Sequence, residues 1–120
     1  MARYAVMIFE RNGNDLPPEI VEQHMRLAGR IEEQGGKVVA GMALEDNSTA
    51  TSIRGDLITD GPFIETKEMI AGIFIIEARD LDHAIALARM TPILDGGVEV
   101  RPLIDFAVVD PSVVVSGEQS

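Results

Sequence analysis

Two histidines, twenty acidic side chains, ten basic ones and no cysteine set the chemical repertoire of this 120-residue chain. His24 is the first residue to weigh. It falls on the apolar stripe of a predicted helix, with Ile20, Leu27, Ala28 and Ile31 recurring at helical spacing around it. Imidazole can both accept and donate a proton near neutral pH, and a neighbouring carboxylate would fix its tautomer. A core histidine satisfied by a backbone carbonyl would show the same pattern. Asp60 precedes Gly61-Pro62-Phe63. It could cap that turn with its own side chain, or orient His24 or a substrate. Glu65, Thr66, Lys67 and Glu68 then crowd four polar groups ahead of an apolar strand. Lys67 could neutralise an anion and Thr66 could donate to it, or the lysine could simply pair with Glu65 or Glu68. Arg101 and Arg54, each on a predicted strand, are the other candidate anchors for a carboxylate or phenolate. Phe63 joins them as an expected ligand contact, and nothing is expected of His83, placed on the exposed side of a second helix.

Several chemistries drop out. Without cysteine there is no thiol nucleophile, no thiolate metal ligand and no disulfide framework. Two histidines make a poor metal set, and no metal or other cofactor is expected. Gly35-Gly36 and Gly96-Gly97 follow a helix and precede a strand, the wrong order for a phosphate loop. A net charge of −10 argues against nucleic acid or an anionic membrane as partner. The first apolar run is short and meets Glu10, so it does not read as a signal peptide, and no stretch approaches ~20 apolar residues. A cytoplasmic location is the default expectation from these absences.

The elements that must position those residues follow from periodicity. Residues 3–9 are apolar on both faces, as in a strand covered twice. Pro17-Pro18 opens a helix over residues 19–34, widened on its apolar side by Val21 and Met25 and stopped by Gly35-Gly36. Residues 37–44 read as a strand. Residues 51–54 and 57–59 read as two short strands around Gly55-Asp56. Residues 70–77 form a second strongly apolar strand. Asp80 caps a helix over 81–90, ended by Thr91-Pro92. The last strand, 98–104, puts Val98 and Val100 on one face and Glu99 and Arg101 on the other, with Pro102 implying an edge.

The order β-α-β-(β-β)-β-α-β is the ferredoxin-like α+β pattern with an inserted hairpin. Both helices then lie on one face of the sheet, yet the two apolar strands demand cover on the other. A homodimer with sheets packed face to face is the simplest solution. The alternative is that the tail folds back over the sheet or extends a partner's sheet. One domain over residues 1–104 is expected, with 105–120 as a C-terminal extension, partly disordered or dimer-associated.

The segment Asp60-Gly61-Pro62-Phe63-Ile64-Glu65-Thr66-Lys67-Glu68 closely resembles the DGPFAETKE signature of the DGPF branch of the YCII-related family. Residues 49–54, the strand Gly72-Ile73-Phe74-Ile75-Ile76 and the ending Gly96-Gly97-Val98-Glu99-Val100-Arg101-Pro102 agree with that family's pattern. The resemblance implies a dimeric α+β barrel. It says less about reaction, since members are mostly of unknown function and many are encoded beside extracytoplasmic-function sigma factors. In shorter YCII-type relatives a first-helix histidine and an aspartate are proposed as an active-site pair. His24, seventeen residues before Gly41, matches that histidine, and Asp60 is the counterpart of the aspartate. Two readings follow: a cofactor-free acid–base enzyme acting on a small anionic or aromatic metabolite, or a non-catalytic ligand-binding or regulatory module that contacts a sigma factor.

Overall fold

The computed structural model describes residues 1–11, 13, 15–61, 69–110 and 112. The elements run β1 (Ala2–Glu10), α1 (Pro18–Glu33), β2 (Lys37–Ala43), β3 (Thr51–Arg54), β4 (Leu57–Asp60), β5 (Met69–Ala78), α2 (Leu81–Ala88) and β6 (Gly96–Pro102). The main sheet has the order β2-β5-β1-β6, with every neighbouring pair antiparallel. This is the ferredoxin-like α+β arrangement that the element order implies. β3 and β4 form a separate two-stranded hairpin.

The helix boundaries have local causes. Pro17 caps α1 and Pro18 occupies its first turn, where a missing N–H costs nothing. Gly35 ends it at φ +84°, a region that glycine enters without strain. Asp80 accepts the His83 backbone N–H at 2.8 Å and so starts α2.

One face of the sheet packs under both helices. Tyr4, Val6, Phe74 and Ile76 meet Leu27 and Ile31 of α1 and Ala84, Leu87 and Ala88 of α2. Each fully buried aliphatic chain there contributes roughly 1.5–3 kcal/mol. Two sequence expectations change here. Met25 is 81% exposed and Val21 45%, so the buried side of α1 is narrower than its apolar stripe. His83 is buried rather than exposed, and its ring is bonded at both nitrogens. Nδ1 accepts the Arg79 N–H at 3.0 Å, and Nε2 lies 2.8 Å from the Gln34 carbonyl. His83 faces inward because α2 is set on β5 and β6, which brings the ring to the Gln34 carbonyl just past α1.

The far face carries a second cluster. Val39 and Ile75 are buried there, with Ala5, Ala40 and Ile73 beside them. Leu103, Phe106 and Val108, beyond the last strand, pack onto this cluster. The Leu103 N–H continues the β6 ladder by donating to the Arg3 carbonyl at 3.0 Å. The Arg3 guanidinium, paired with Glu77 at 3.0 Å, lies 5.2 Å from the Phe106 ring centroid. The chain therefore supplies part of its own third layer, as the folded-back tail required. Among the described residues, no helix is long and apolar enough to cross a membrane.

Candidate functional site

A pocket of about 410 Å³ lies between α1 and the sheet. The strands below explain the space. On the helix face, Gly41 of β2 is the register neighbour of Phe74, and Gly72 of β5 is the neighbour of Ile8. Neither glycine sends a side chain upward, so part of the floor is bare backbone. Ile8, Val38 and Phe74 wall it, while Val21, His24, Leu27 and Ala28 of α1 form the roof. The lining is mostly apolar, which suits the body of a small molecule with one or two polar atoms.

His24 is half-buried and lines this pocket. None of the described residues hydrogen-bonds its ring, in contrast to His83. Among the described residues, its ring nitrogens thus have no partner.

Glu10 is the other ionisable residue among the described lining residues, and it is 1% exposed. Its carboxylate accepts the backbone N–H groups of Leu94 and Asp95, each at 2.8 Å. These bonds anchor the turn into β6, and a buried carboxylate needs them. Sequence reasoning passed over Glu10, although it continues the inward stripe of Tyr4, Val6 and Ile8. A charge at the next inward position was the available signal.

The other sequence candidates scatter. Asp60 ends β4, opposite Thr51, and is exposed. It is absent from the described lining of the His24 pocket. Arg54 is exposed on β3. Arg101 is exposed on β6 and faces away from the helices, being the register neighbour of Ala5. Among the described residues, no lysine or arginine lines the pocket. Phe63, Glu65, Thr66 and Lys67 lie outside the described residues. No cluster of metal-ligating side chains occurs among the described residues. The hairpin start is tied down locally. The Ser52 hydroxyl donates to the Gly61 carbonyl, and the Gly61 N–H donates to the Ala50 carbonyl at 2.7 Å. Before it, hydrogen bonds from Ser48 hold the Asp46 carboxyl below the usual carboxylate range.

The fold and the pocket together define a ferredoxin-like α+β protein with a cleft between its first helix and its sheet. The model of the YCII-related domain matches residues 2–107, and the chain belongs to that family. It is also 34% identical over 92 residues to an uncharacterised protein of Rhizobium meliloti (strain 1021), a match covering 71% of this chain and 74% of that one.

Proposed function

We propose that this chain binds a small, largely apolar metabolite beneath α1 and that His24 exchanges a proton with it. The observation that carries this reading is the position of His24: the one histidine on the pocket wall has a ring that no described residue engages. An apolar wall also favours general acid–base work, because it keeps bulk water from competing for the transferred proton. The lining favours the aromatic over the anionic class, since its described residues include no lysine or arginine.

A flat substrate with an acidic C–H tests the assignment directly. A base that removes the C3 hydrogen of 5-nitrobenzisoxazole breaks its N–O bond and releases the coloured 2-cyano-4-nitrophenolate. The imidazole keeps the proton and returns it to solvent. Saturable opening by the wild type, reduced about 100-fold or more in His24→Ala, is the expected result. Saturable opening that His24→Ala leaves intact would remove the histidine from the mechanism. Binding without any opening would favour the non-catalytic ligand-binding module.

A further inference from the structure

We infer that Gly41 determines which ligands this pocket admits, by keeping its floor bare so that a flat ring can lie against the strand backbone. The inference rests on the pocket reading above and specifies its ligand class as planar and aromatic. Glycine inside a strand weakens the strand, and it commonly marks either a required backbone geometry or the close approach of another group. The two floor glycines separate these cases.

Gly72 is held by its own sheet. A Cβ there would sit 2.8 Å from the Met42 carbonyl oxygen, which is backbone of the adjacent strand and cannot yield cheaply. Gly41 has no such constraint. Its φ is not positive, and a Cβ there would meet only Phe74 Cβ, at an ordinary 3.6 Å. Neither the backbone conformation nor the neighbours require glycine at 41. A side chain would instead project from β2 on the helix face, beside Phe74 and into the space under His24. The absence of a side chain serves the empty volume. Glycine backbone below and the helix above leave room for a ring lying parallel to the sheet, with its polar edge reaching the imidazole.

The consequence is a separation of stability from binding. Gly41→Ala and Gly41→Leu should fold, and the added β-propensity should keep Tm or raise it by a few degrees. Phenol and 2-naphthol serve as probes, titrated by ligand-observed NMR. Gly41→Ala should weaken 2-naphthol more than phenol, and Gly41→Leu should weaken 2-naphthol about tenfold or more. Equal weakening of both probes in Gly41→Ala, or unchanged naphthol binding in Gly41→Leu, would overturn the inference and leave the pocket reading standing. Failure of the wild type to bind either probe would overturn both. Should Gly41→Leu not fold, the size preference of Gly41→Ala still decides the matter.

Discussion

At the scale of single residues, the two histidines sit in different surroundings. His24 lines a pocket, while His83 is a structural joint between the end of α1 and the start of α2. With Nδ1 accepting and Nε2 donating to a carbonyl, the His83 ring satisfies two backbone groups at once. His83→Leu strands the Arg79 N–H and the Gln34 carbonyl, and should cost about 1–3 kcal/mol. His24→Leu breaks no bond to a described residue and should stay within about 0.5 kcal/mol of the wild type. Urea denaturation of the two variants checks the contrast, and equal losses would mean that His24 also holds the fold together. The helical stripe made His24 legible in the sequence. His83 was not, because the side that faces inward depends on how a two-turn helix is set on the sheet. Glu10 shows the same limit in reverse. Its inward position was readable, but its partners are backbone groups 84 and 85 residues away.

At the scale of elements, almost every strand and helix was legible, because apolar periodicity and Pro/Gly punctuation agree along the chain. Register was not. β2 is bulged between Val38 and Ala40, so Val39 and Ala40 both pack on the far side and Gly41 returns to the helix face beside Phe74. One extra residue reverses the alternation, and composition alone does not reveal it. The Gly96-Gly97 pair that opens β6 was read as a simple strand entry, yet its two members differ. A Cβ on Gly96 would fall 1.9 Å from the Phe9 carbonyl oxygen, whereas one on Gly97 would meet nothing within 4 Å. Gly96→Ala must push β6 away from β1 and disturb the turn that Glu10 holds. It should lose about 2 kcal/mol or more, against a change within about 0.5 kcal/mol for Gly97→Ala. Thermal melts of the pair test this, and equal Tm values would show that the approach of β6 to β1 is not limiting.

At the scale of the whole molecule, the question raised by two-faced apolar strands is what supplies the third layer. A sheet buried under helices on one side still exposes Val39, Ile75 and their neighbours on the other. Leu103, Phe106 and Val108 close that region within one chain. The Arg3 guanidinium fastens the segment by lying over Phe106 while its charge is met by Glu77. The sequence showed the need for cover and named the tail as one source of it. Its apolar fragments lacked any period that would say where they land. The remainder of the far face still carries Met42, 55% exposed, and the charged pair Glu99 and Arg101. Removal of residues 103–120 should therefore do two things at once. Losing the contacts of three partly buried apolar side chains should lower stability by about 2–4 kcal/mol. Uncovering Val39 and Ile75 should also enlarge the apolar patch beyond what a sheet tolerates in water, so the shortened chain should self-associate more than the full one. Denaturation midpoints and light scattering at matched concentrations measure both effects. A shortened chain with unchanged stability and unchanged mass would show that the sheet's far face is covered by something other than its own C-terminal segment. Lower stability with unchanged mass would instead show that the segment acts as packing alone and does not shield the face from a second copy.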